Sequence, residues 1–201
     1  SDDNSQQVDL TSKSGAYQVR GMIADDFPAL PLVESSTSLK LNPLSLSSAI
    51  KSTLFASSTD DAKQLLTGVN LTFDGYGIES AATDGHRLAI LNLNNIISDS
   101  KDKNISSTID KFSITLPSKS LREVDKFLTT CDISQPINFF IDKGQVVFIS
   151  ADEIITIRAL EGSYPNYSQL LPDTFENVLE FNRKDFIASL ERIAVLADQH
   201  N

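Results

Sequence analysis

The chain has 201 residues, 40% of them hydrophobic and 22% charged, with a formal net charge of −10. That apolar content supports a packed core and excludes a disordered chain, and the length allows one large domain or one full domain with pieces of others. No apolar run reaches the roughly 20 residues a membrane helix needs, and the acidity, taken alone, argues against a protein that coats itself in nucleic acid. In chain order, Val8 to Leu10 and Ala16 to Met22 read as a hairpin turning at Ser14-Gly15. The polar, acidic first ten residues do not read as a signal peptide. Asp25-Asp26-Phe27-Pro28-Ala29-Leu30-Pro31 then reads as a stiff, extended linker. A short alternating strand over 39–41 leads into an amphipathic helix carrying Leu46, Ala49, Ile50, Thr53 and Leu54. Three strands are predicted near 67–74, 77–83 and 86–93, with Gly75-Tyr76-Gly77 and Asp84-Gly85 at the turns.

After a polar connection over 94–110, the order recurs. A strand over 114–116 precedes a helix carrying Leu121, Val124, Phe127 and Leu128. Strands near 136–142, 145–150 and 153–160 follow, turning at Lys143-Gly144 and Ala151-Asp152. A second linker runs from Glu161 through Tyr164-Pro165-Asn166-Tyr167 to Pro172. It leads to a third strand over 179–181 and a third helix with Phe186, Ile187, Leu190, Ile193 and Ala194. Segments 39–46, 114–121 and 179–186 align without gaps, so residues 38–160 read as strand-helix-three-strands, twice. A third unit stops after its helix.

Thr83, Asp84, His86 and Arg87 gather at one hairpin tip. Such a cluster is either a catalytic or metal site, or a rim that partners grip. A hydrolase using Asp84 and His86 lacks a nucleophile elbow and a Gly-rich oxyanion loop. A zinc site fails on count, with two histidines, His86 and His200, and one cysteine, Cys131. The lone cysteine fits a reducing compartment, and the expected localisation is cytoplasmic. No nucleotide fingerprint is present, so neither cofactor nor metal is expected. On the second helix, Lys119, Arg122 and Lys126 fall on one face, opposite Leu121, Val124 and Leu128. That face is either simply solvated, as in a structural adaptor, or suited to phosphates.

The repeat, the Tyr164-Pro165 linker and Ala82-Thr83-Asp84-Gly85-His86-Arg87-Leu88 together resemble the bacterial DNA polymerase III beta subunit family, the replicative sliding clamps. Leu66-Thr67-Gly68-Val69, Asp25-Asp26-Phe27-Pro28 and Leu171-Pro172 add to the likeness. The resemblance implies an α+β DNA clamp fold, with repeated strand-helix-three-strand units and two helices packed on antiparallel sheet. It implies the end of a first domain and linker over 1–33, a middle domain over 34–162, and a linker and start of a third domain over 163–201.

It also implies a non-catalytic DNA polymerase processivity factor. Two full-length chains would close into a ring dimer around duplex DNA, without sequence readout. Replicative polymerase, clamp loader and repair proteins would dock through short peptides. By position, Leu66, Leu88, Pro165 and Leu170 would wall the peptide pocket, with Thr83, Gly85, His86 and Arg87 around them. Lys119, Arg122 and Lys126 would face DNA. The family's third-domain contribution to the pocket is missing from this chain, so peptide binding would be weak. Gln169 stands where many members carry arginine, and Gln64 and Leu65 where some carry aromatics.

Overall fold

Leu39 and Leu41 alternate with polar neighbours, and both are buried, so the first strand of the repeat lays one face on the core. The computed structural model describes residues 7–27, 37–74, 77–94, 111–142, 144–151, 153–172, 174–195 and 197. The chain divides into two units, Ser1–Tyr164 and Pro165–Asn201. The expected connection over 94–110 lies almost wholly outside the described residues. So do the later part of the first linker and the turn residues Gly75, Tyr76, Lys143 and Asp152.

In the first unit, β1 (Gln7–Ser12) and β2 (Gly15–Arg20) form an antiparallel hairpin. Ser12 pairs with Gly15, so the turn residues are Lys13 and Ser14, one position earlier than expected. The Ser12 hydroxyl accepts the Ser14 N–H at 3.2 Å and sets that position. The repeat follows as β3 (Thr37–Leu41), α1 (Pro43–Thr53), β4 (Gly68–Phe73), β5 (Gly77–Thr83) and β6 (Leu88–Asn94). Its second copy is β7 (Phe112–Pro117), α2 (Ser118–Thr130), β8 (Ile137–Asp142), β9 (Gln145–Ser150) and β10 (Glu153–Arg158).

Local chemistry starts and stops the helices. Asn42 caps α1, its side-chain oxygen accepting the Ser45 N–H at 3.1 Å, and Pro43 takes the first turn, where no donor is needed. Leu54 was expected in α1, but the helix ends at Thr53 and tightens into a 3-10 turn over Leu54–Ala56. Thr53 is fully buried. Its hydroxyl bonds the Ala49 carbonyl at 2.8 Å and the Ser80 hydroxyl at 2.9 Å, so the polar group is satisfied inside the core.

The two copies exchange strands. One sheet runs β10-β9-β8-β3 and the other β6-β5-β4-β7. Each three-stranded meander therefore takes its fourth strand from the other copy, through antiparallel pairing of β3 with β8 and of β4 with β7. Neither copy separates without breaking a ladder. Helices α1 and α2 pack on the sheets and on each other, and the Ser47 hydroxyl donates to Asp125 across their contact at 2.7 Å. Leu46, Ile50, Leu121, Val124 and Leu128 meet Val69, Leu71, Leu116, Phe139 and Phe148 in one core. A file of rings crosses from sheet to sheet. Phe73 and Phe112 lie 5.5 Å apart between centroids, Phe112 and Phe139 6.1 Å, and Phe139 and Phe148 5.2 Å. At Gly68, where β4 begins against β7, a Cβ would stand 2.7 Å from the Leu116 carbonyl oxygen, so only glycine fits.

The second unit carries a 3-10 turn over Ser168–Leu170 and α3 (Arg183–Ala194). Asn182 caps α3 by accepting the Lys184 N–H at 2.9 Å. The strand expected over 179–181 does not form. Its alternation matches that of β3 and β7, but no partner strand lies beside it among the described residues, and a strand without a ladder is only an extended segment. Phe181 instead packs on Phe186, with ring centroids 4.3 Å apart. Among the described residues no helix is long and apolar enough to cross a membrane.

Candidate functional site

The hairpin tip between β5 and β6 is a four-residue loop, closed by the pair Thr83 and Leu88. The Asp-Gly signal had pointed to a two-residue turn, with His86 and Arg87 already in strand. Side-chain acceptors explain the longer loop. Asp84 Oδ1 accepts the N–H groups of His86 at 2.9 Å and Arg87 at 3.0 Å. The Thr83 hydroxyl accepts the Gly85 N–H at 3.1 Å and donates to the Arg87 carbonyl at 2.6 Å. Gly85 supplies the positive φ of +96° that the reversal requires. These bonds satisfy the N–H groups of Gly85, His86 and Arg87, and the His86 and Arg87 side chains are exposed.

Charge tightens the same loop. Arg87 Nε donates to Asp84 Oδ2 at 3.0 Å. The backbone N–H of His86, then that of Arg87, and then the guanidinium hold the Asp84 carboxyl below the ordinary aspartate range. The link between Asp84 and His86 runs through the backbone N–H and not the imidazole, so Asp84 serves as a turn acceptor rather than as the orienter of a catalytic histidine. Among the described residues, no three His, Cys, Asp or Glu side chains are grouped to hold a metal ion.

Three residues outside the expected pocket support the loop. The Tyr164 hydroxyl accepts the buried Thr83 N–H at 3.0 Å, and burial pushes the phenol pKa up, against the opposing effect of that bond. Lys63 Nζ donates to the Asp84 carbonyl at 3.3 Å. Lys63 stands at the kink of the irregular 3-10 segment Asp61–Thr67, whose start is capped by the Asp60 carboxylate. Phe55 lies under the Arg87 guanidinium, 5.8 Å from ring centroid to Cζ. The Tyr164-Pro165 pair of the linker marks Tyr164 in the sequence, whereas Lys63 and Phe55 carry no such mark, because tertiary packing alone brings them to the loop.

Of the expected pocket residues, Leu66 and Leu88 are half-buried and Thr83 is buried, while Gly85, His86 and Arg87 are exposed. Pro165 and Leu170 belong to the second unit, where both are exposed. Two concavities of the first unit lie elsewhere. One of about 410 Å³ is lined by residues such as Phe112, Ser113, Arg158 and Glu161, and neither includes the expected pocket residues.

On α2, Lys119, Arg122 and Lys126 are exposed, opposite buried Leu121, Val124 and Leu128. The face is less basic than expected. Glu123 shares it and binds Lys126 at 2.9 Å, because a residue four positions beyond Lys119 returns to the same side of a helix. Lys119 and Arg122 edge the second concavity, of about 180 Å³, whose lining also includes Ser57, Ser58, Thr59, Asp61 and Thr67.

The family described as DNA polymerase III beta subunit, central domain, matches residues 40–166. The beta sliding clamp of Synechococcus elongatus is 43% identical over the whole of this chain, which covers 51% of that protein. The beta sliding clamp of Synechocystis sp. is 42% identical over 96% of the chain and 50% of its own length. The chain thus spans about half the length of these relatives. The crystal structure of the DNA polymerase sliding clamp from Bacillus subtilis superposes with a TM-score of 0.83 at 27% identity, covering 98% of this chain and 49% of that one. With its exchanged strand-helix-three-strand repeat and its matched residues 40–166, the chain belongs to the DNA polymerase III beta subunit family.

Proposed function

We propose that the chain is part of a processivity clamp, a non-catalytic protein that encircles duplex DNA as a ring dimer and tethers a polymerase. The observation that carries this reading is the doubled unit itself, with α1 and α2 packed side by side and α2 turning Lys119 and Arg122 outward in a chain of formal charge −10. Local positive charge on an acidic body suits sliding, since phosphate contacts position a protein without reading sequence. The intact protein, loaded on closed circular DNA, is expected to stay bound and to leave when the circle is cut. Equal loss from circular and linear DNA would refute the clamp.

The loop at Thr83–Leu88 is the proposed grip for partner peptides. Its backbone is held by its own side chains, so little ordering remains to be done on binding. Leu66 and Leu88 offer apolar wall, Gly85 allows close backbone approach, and His86 and Arg87 form a polar rim beside Thr83. Pro165 and Leu170 are carried into this reading by the family resemblance alone, as are the polymerase, clamp loader and repair proteins as partners. His86→Ala and Leu88→Ala are expected to abolish binding of a polymerase-derived peptide by the intact protein while leaving its melting curve intact. Retained affinity in both variants would remove the pocket assignment.

A further inference from the structure

We infer that Phe55 is a positioning residue for Arg87: the face of its ring and the Asp84 carboxylate together fix the guanidinium in one orientation before a peptide arrives. The inference rests on the peptide-binding reading of the loop. Phe55 is 61% exposed, so its ring contributes little to the core. Its backbone is nonetheless firmly held. It sits in the 3-10 turn Leu54–Ala56, between fully buried Thr53 and Ala56, and the Ser57 hydroxyl donates to the Leu54 carbonyl at 2.8 Å. The ring therefore projects at the surface from a fixed stretch of backbone.

Arg87 contrasts with it. Its side chain is 56% exposed and sits on a loop, where a long cation would normally sample many rotamers. Here Nε is taken by Asp84 at 3.0 Å, and Cζ stands 5.8 Å from the Phe55 centroid, within the reach of about 6 Å over which a ring face attracts a cation. One partner holds Nε at the edge of the guanidinium, and the ring of the other lies beneath its central carbon. Two such constraints limit the rotamers of the side chain, while the Nη donors remain for a peptide carbonyl or carboxylate. An exposed phenylalanine alone would need no explanation. The cation above it and the acid beside that cation make it part of the loop.

The test compares Phe55→Leu with Phe55→Tyr. In the 201-residue chain, the Arg87 side-chain NMR signals, Nε–H included, are expected to carry a ring-current shift that Leu removes and Tyr keeps. In the intact protein, Phe55→Leu is expected to weaken binding of the polymerase-derived peptide about two- to fivefold, and Phe55→Tyr to bind as the unsubstituted protein does. Arg87 signals that do not move in Phe55→Leu, or peptide affinity unchanged by it, would overturn the inference. If the unsubstituted protein fails to bind the peptide, the peptide-binding reading falls, and the Arg87 signals still decide whether Phe55 fixes the guanidinium.

Discussion

Replacing Tyr164 with phenylalanine removes one oxygen and keeps the ring. That oxygen accepts the Thr83 N–H at 3.0 Å, and Thr83 is only 7% exposed. A buried N–H left without its acceptor costs about 1–3 kcal/mol. In a unit of this size each kcal/mol lowers Tm by about 2–4 °C, so Tyr164→Phe is expected to melt about 2–12 °C lower. Thermal unfolding followed by circular dichroism would measure it. Tyr164→Leu, which loses the ring as well, separates the hydroxyl from its packing. The same group gives a pH signature. Burial raises the phenol pKa above the ordinary 10.0, so the folded state holds this proton more tightly than the unfolded one. Its contribution is complete below about pH 10 and declines as pH rises through the folded-state value. Tyr164→Phe should lack that alkaline decline. Equal Tm values for the native and Phe proteins would refute the reasoning, because Thr83 would then not depend on the hydroxyl.

Three further outcomes follow from the geometry. Gly68→Ala would place a Cβ 2.7 Å from both the Leu116 oxygen and Thr115 Cγ2, and is expected to lose about 1–3 kcal/mol in urea unfolding, the typical cost of overpacking; native-like stability would count against the close approach. The Asp84 carboxyl titrates below the ordinary aspartate range, so its support of the loop is complete above that range and fades as pH falls through the depressed value. The His86 and Arg87 amide shifts should move in that acid window, and Asp84→Asn should flatten them there. Charge reversal of Lys119 and Arg122 together should weaken DNA association by the intact protein and make its dependence on log salt shallower by about 1–2; an unchanged slope would remove the phosphate contacts.

The helices were the most legible part of the fold. In α2, Leu121, Val124 and Leu128 recur at helical spacing because one face must be buried, and the same arithmetic placed Lys119, Arg122 and Lys126 opposite them. That arithmetic also places Glu123 among the cations. The hairpin tip was half legible. Asp-Gly announced a reversal, but the longer loop follows from Thr83 and Asp84 acting as acceptors for the next few N–H groups, a property of those side chains rather than of glycine. Residues 179–181 show the opposite error, since alternation is local whereas a strand requires a neighbour. Phe55 and Lys63 were illegible because their roles come from segments that meet only in three dimensions.

Strand exchange bears on the order in which a ribosome can build this protein. The ladder between β4 and β7 becomes possible once residue 117 has emerged, which completes one sheet early. Strand β3 pairs with β8, roughly a hundred residues downstream, so at about 5–20 residues per second it waits on the order of 5–20 seconds for its partner. During that interval Leu39 and Leu41, buried in the finished protein, have no ladder to hold them in the core. Stalled nascent chains should therefore leave 37–41 open to protease until residues through 142 are clear of the exit tunnel. Protection of β3 in shorter chains would show that it finds another partner first. The first strand of the repeat to be synthesised is, on this reckoning, the last of its own copy to be secured.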